Sequence, residues 1–166
     1  SLKVAVLFGL IGSLLVAFPT GDVHAKQVAR TQPEKFAAME GLYQTQNAAP
    51  LVVFGIVQEN PPELKAAIHV PVKGLLSWIA FGDFNATVKG IDAFLPDEIP
   101  PLWMTFVSFH SMVLLGTFLV LVMGISVIQL VRQKLWGSHK LLAVLTWSVP
   151  LPLVACQLGW ITAEVG

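Results

Sequence analysis

The chain has 166 residues, 55% hydrophobic and 12% charged, with ten basic and ten acidic side chains and a formal net charge of zero. Its mean hydropathy is +0.72, and a soluble domain carries about 25% charged residues, so the composition favours membrane spans over a soluble domain. No basic tract is present, which argues against nucleic acid as a partner. The single cysteine, Cys156, excludes an internal disulfide and a cysteine-built metal cluster, and it reads as a small packed hydrophobe.

Leu2 to Pro19 is apolar except for Lys3, which is long enough for a first span over residues 1–19. Gly9, Gly12 and Ser13 are small residues suited to helix–helix packing. Lys3, the apolar stretch and Val23-His24-Ala25 also resemble a signal peptide with its cleavage site, an alternative that the residues alone leave open. Residues 20–101 form a polar section holding 15 of the 20 charged residues, nine acidic and six basic. Pro33 suits a first helical turn and predicts a short helix over Glu34 to Tyr43. Leu51 to Val57 is a β-branched run that predicts extended chain, and Pro61-Pro62, Pro71 and Pro100-Pro101 punctuate the remainder. A connection this long is usually a functional loop.

Residues 102–131 make a second span, 30 residues without a formal charge, with Trp103 and Trp136 placed as interfacial anchors. Residues 132–140 are a short basic connector carrying Arg132, Lys134, His139 and Lys140. Residues 141–164 make a third span, with Pro150 and Pro152 as expected kink points. The positive-inside rule puts the connector and Lys3 in the cytoplasm and the long loop outside. The fold class expected is an all-α membrane protein, three transmembrane helices of a larger helical bundle with one long extracytoplasmic loop. The chain starts at Ser1 almost directly in one apolar helix and stops at Gly166 just after another, so it is expected to be a piece of a longer protein.

Several side chains are chemically eligible. Glu164 lies four residues after Trp160, on the same helical face, and an ionisable group near a span usually has a partner; it also suits a plain water interface. Met112 and His110 offer soft and imidazole donors of the kind haem iron accepts. They stand roughly 200° apart around a helix and cannot share one target. Core packing accounts for a lone Met, and a hydrogen bond to a neighbouring helix for a lone His. Lys35 and Glu40, roughly 140° apart on a helix, would flank a site rather than pair, and the same pattern describes a solvated amphipathic turn. His24 and His69 are cations or proton carriers without metal-ligand spacing.

Three segments then stop being generic. Gly21-Asp22 with Gln32-Pro33-Glu34-Lys35-Phe36-Ala37-Ala38-Met39-Glu40 resembles the quinol-binding loop of cytochrome bd oxidase subunit I. Pro101-Leu102, Phe109-His110-Ser111-Met112-Val113 and Gly116 resemble the next span of that family. Gly159-Trp160-Ile161-Thr162-Ala163-Glu164-Val165-Gly166 resembles its Gly-Trp-x-x-x-Glu-x-Gly motif. All three occur in the family's order, and the resemblance covers essentially the whole chain, which also displaces the signal-peptide reading.

The resemblance implies quinol oxidation at the outer face of a bacterial or archaeal cell membrane. Electrons would pass through haems to reduce oxygen to water. It implies a low-spin haem b, a high-spin haem b, and haem d or a b-type replacement, with quinol, oxygen, subunit II and the bilayer as partners. Lys35 and Glu40 match the loop residues associated with quinol oxidation, and Met112 an axial ligand of the low-spin haem. Glu164 matches the residue tied to the high-spin haem, and Trp160 the aromatic residue between the haems. His110 stands where many relatives have Arg, which turns an expected constant contact to a haem propionate into one that depends on pH. The loop is of the short kind, and the chain stops before the family's Arg-Gln-Pro-Trp. The family's first five spans, with their His ligands and proton-channel acids, have no counterpart here, so the chain alone is expected to be inactive. The rival readings are a stand-alone membrane assembly or interaction protein derived from that family, without catalysis, and a secreted domain with a tail anchor.

Overall fold

The computed structural model describes residues 2–59 and 62–165. The turn expected at Pro61 and the motif glycine Gly166 lie outside them. The chain is mainly helical and divides into two compact units, residues 1–21 with 111–157, and residues 22–110 with 158–166.

In the first unit, α1 (Leu2–Leu15) passes into a π-helical turn at Val16–Thr20 and then into α2 (Gly21–Thr31), which belongs to the second unit from residue 22 on. The first span was expected to end at Pro19, yet helix continues to Thr31. Proline lacks an N–H and crowds the carbonyl one turn back. The wider π turn absorbs both defects: Gly21 N–H reaches Val16 O, and Thr20 Oγ1 donates to the same oxygen at 2.5 Å. Gly9 of α1 meets Met123 of α5 (Leu102–Val131), where a Cβ would stand 3.1 Å from the sulfur. That bears out the packing role read for Gly9, while nothing lies within 4 Å of the corresponding point at Gly12. After a 3₁₀ turn at Leu135–Gly137 come α6 (His139–Trp147) and α7 (Leu151–Val165), separated at Pro150 and with Pro152 in the first turn of α7, where a missing N–H is tolerated. The third helix therefore begins two residues before the expected Leu141. Three stretches, Lys3–Thr31, Leu102–Val131 and His139–Val165, are long and apolar enough to cross a membrane. Their outward side chains, Phe8, Leu121, Trp147 and Val149 among them, are exposed large hydrophobics, as a bilayer requires.

The second unit holds the loop. Gln32 leaves helical geometry (φ −140, ψ 64) because the following proline disfavours it, and α3 (Pro33–Glu40) starts afresh. Two antiparallel pairs form, β1 (Gln46–Asn47) with β4 (Thr87–Val88), and β2 (Val52–Glu59) with β3 (Pro62–His69). The all-α expectation thus gains two small sheets, and β2 covers the run predicted to be extended. Between them lies α4 (Leu75–Phe81). α3 feeds two cores at once, Phe36 packing with Ala29, Leu76, Ala80 and Val88, and Ala37 and Ala38 packing with Ile91 and Leu102. A short helix used on both sides buries its polar residues too.

Candidate functional site

Lys35 and Glu40 are both buried, at 7% and 4% exposure, although they sit on opposite ends of α3. The Lys35 ammonium donates to Ala163 O at 2.8 Å. This joins the loop helix to the last turn of α7, beside Glu164. A second tie between distant segments is the hydroxyl pair Ser108 and Thr162, 2.9 Å apart. Lysine carries three N–H donors, so this bond engages one.

Glu40 is the last residue of α3. Gly41 follows in the left-handed region (φ +63) and caps the helix, with Leu42 N–H donating to Ala37 O at 2.9 Å. The glycine is required twice, by its conformation and by space: a Cβ would lie 2.8 Å from Phe106 Cε2 and 3.2 Å from Leu64 Cδ2. Glu40 Oε2 is buried without a hydrogen-bond partner. Burial pushes the carboxyl from its ordinary 4.5 up to about 8, because a charge there would lose its hydration. A neutral acid at pH 7, poised to ionise just above it, is a form in which carboxyls take part in proton transfer.

His110, in α5, faces inward. Its Nδ1 lies 3.1 Å from Phe106 O and its Nε2 3.3 Å from Val52 O, and its ring stacks on that of Phe106 with centroids 4.0 Å apart. Each ring nitrogen faces a backbone oxygen, and a neutral imidazole, with one N–H, donates to one of the two. Trp160 is 61% exposed on α7, with Glu164 exposed one turn later on the same face. Met112 belongs to the first unit and is half-buried in α5. The residues that sequence reasoning missed are Phe106, Leu64, Ser108 and Thr162. The four-residue step from Phe106 to His110 was the one local signal for any of them.

The family model for cytochrome bd terminal oxidase subunit I matches residues 1–166. A Bacillus subtilis (strain 168) protein assigned as a cytochrome bd menaquinol oxidase subunit I is 36% identical over all of this chain and 37% of its own length. The cytochrome bd ubiquinol oxidase subunit 1 of the same organism is 30% identical with the same coverage. The bd oxidase structure from Geobacillus thermodenitrificans superposes with a TM-score of 0.73 at 27% identity, over 99% of this chain and 43% of that one. The chain thus spans well under half the length of the relatives it matches. On the match over its whole length and its three membrane-length helices, this multi-pass membrane protein belongs to the cytochrome bd terminal oxidase subunit I family.

Proposed function

We propose that this chain supplies the quinol-oxidising part of a respiratory terminal oxidase subunit, working at the outer face of the membrane as part of a complete subunit with subunit II. The observation that carries the reading is Glu40, whose Oε2 is buried without a partner on the loop helix, in a chain of this family. Quinol must lose two protons and two electrons. An ionised Glu40 takes a proton from a quinol hydroxyl, and with a pKa of about 8 roughly a tenth of the population is ionised at pH 7. Lys35 has N–H donors beyond the one given to Ala163 O and can hold a quinone oxygen. With the basic connector inside, the loop lies outside, and the released protons leave on that side.

The residues present fit the haems that the family implies. An indole exposed on an apolar helix, with a carboxylate one turn away, suits the edge and iron of a flat macrocycle. Met112 offers a thioether to the low-spin haem b, a donor that favours reduced iron. Glu164 and Trp160 face the high-spin haem b and haem d or its b-type replacement. Bound haem supplies one-electron transfer and the site of oxygen reduction.

The test uses the intact subunit assembled with subunit II. Glu40→Ala should lower quinol oxidation by about 100-fold or more while the reduced-minus-oxidised haem spectrum keeps its amplitude. Met112→Leu should alter the low-spin haem band. Wild-type behaviour in both variants would reject these assignments.

A further inference from the structure

Three separately encoded pieces of chain meet at Gly41. Phe106 of α5 and Leu64 of β3 lie against its backbone, so closely that no Cβ fits. Immediately before it stands Glu40, whose Oε2 is buried and has no protein partner. Water would satisfy such an oxygen at little cost. Oε2 is out of reach of solvent, and a gap in the packing at the end of α3 would admit water. Phe106 is the part of that packing contributed by α5. It is 3% exposed, and a phenyl ring resting on a glycine can slide or tilt unless the ring itself is held.

The ring is held by His110. The rings stack with centroids 4.0 Å apart and planes 26° from parallel, and the imidazole reaches Val52 O of β2 at 3.3 Å. His110 thus links the phenyl ring to the hairpin whose second strand supplies Leu64. We propose that Phe106 and His110 are positioning residues for Glu40: the phenyl ring closes over Gly41, His110 fixes the ring between itself and Val52, and together they keep the carboxyl dry and in one place. The inference rests on Glu40 being the group that handles the quinol proton. Neither aromatic residue needs to touch the substrate.

The experiment uses the intact subunit with subunit II and reads infrared difference spectra alongside kinetics. The Glu40 carboxyl is the C=O band that Glu40→Gln removes. A protonated carboxyl without a hydrogen bond gives a narrow, high-frequency band that exchanges slowly in D₂O. Phe106→Ala should move this band down, broaden it and speed its exchange. It should also lower kcat on the order of tenfold with KM changed less than about twofold. His110→Leu should act in the same direction. His110→Gln, whose amide nitrogen can donate to Val52 O but which has no ring to stack on Phe106, should recover the wild-type band in part. Phe106→Leu, which keeps most of the volume but not the stacking face, stands in if the alanine variant does not assemble. An unchanged band in assembled Phe106 variants overturns the proposal, as does a wild-type spectrum with no band that Glu40→Gln removes. The band is read without turnover. A shifted band in Phe106→Ala together with full activity in Glu40→Gln would reject the quinol role of Glu40 and uphold the positioning.

Discussion

The helices of the first unit and the loop-bearing second unit satisfy many of their polar groups in opposite ways. In the helices, hydroxyls turn back on their own backbone: Ser13 donates to Gly9 O at 2.7 Å, Thr117 to Val113 O at 2.9 Å, Ser126 to Val122 O at 2.7 Å. Each is a four-residue step that helix geometry supplies unaided. In the second unit, which holds the loop with the start of α5 and the end of α7, several partners are far along the chain. Thr45 bonds Asp92 across 47 residues, His110 reaches Val52 across 58, and Lys35 reaches Ala163 across 128. Local bonds let a helix exist in lipid but select no arrangement. Long-range bonds exist in one arrangement only, so the residues that do chemistry belong with them.

Glu40 is where this contrast can be broken most decisively, since among the described residues its Oε2 is the one buried side-chain N or O atom without a partner. Its carboxyl is raised from 4.5 to about 8 in the folded chain. Unfolded chain releases the proton near pH 4.5 while the fold retains it. The stability tied to the neutral carboxyl is therefore complete below pH 4.5, lost as pH rises to about 8, and level above that. Glu40→Gln does not titrate. It should match wild type near pH 4 and be more stable at pH 8 and above, with a ceiling of roughly 5 kcal/mol. Denaturant midpoints of both proteins between pH 4 and pH 9 give the difference directly. Parallel curves would mean that the carboxyl is hydrated or paired.

Two glycines sharpen the comparison. Gly41→Ala forces a side chain into the left-handed region and against Phe106 at 2.8 Å, and should cost roughly 2–4 kcal/mol. Gly12→Ala, in α1 with nothing within 4 Å, should be neutral or stabilise by about 0.5–1 kcal/mol. Thermal or denaturant unfolding in one detergent ranks the pair, and equal effects would erase the distinction between the two regions.

The same contrast explains what the sequence made legible. A bilayer imposes length and apolarity, so the second span was read to the residue and the third to within two. The first span was closed too early because Pro19 is a breaker by local rules, while the π turn that rescues it depends on Thr20 and Gly21 acting together. Pro33 announced α3. Its pattern, Glu34-Lys35 and then Glu40, reads equally as a solvated turn, because the groups packed on Gly41 beside Glu40 come from β3 and α5, and the acceptor for Lys35 from α7. For His110, likewise, no spacing reveals that Val52, 58 residues away, supplies an oxygen its ring faces.

The smallest effects come from two serines, and they test whether the range of a bond decides its worth. Ser77 Oγ accepts from Ala49 N–H at 2.9 Å and donates to Ala86 O at 2.8 Å, tying α4 to two other stretches of the loop. Ser77→Ala leaves a buried N–H without an acceptor and should cost roughly 1–3 kcal/mol. Ser126 is equally buried, but its hydroxyl shares a carbonyl that the helix already bonds. Ser126→Ala should therefore change stability by less than about 0.5 kcal/mol. Denaturant midpoints in one detergent measure both, and faster hydrogen exchange at the Ala49 amide should accompany the Ser77 change alone. If the two serines cost the same, burial rather than the span of the bond sets the energy, and the division between locally satisfied helices and a mutually dependent loop fails.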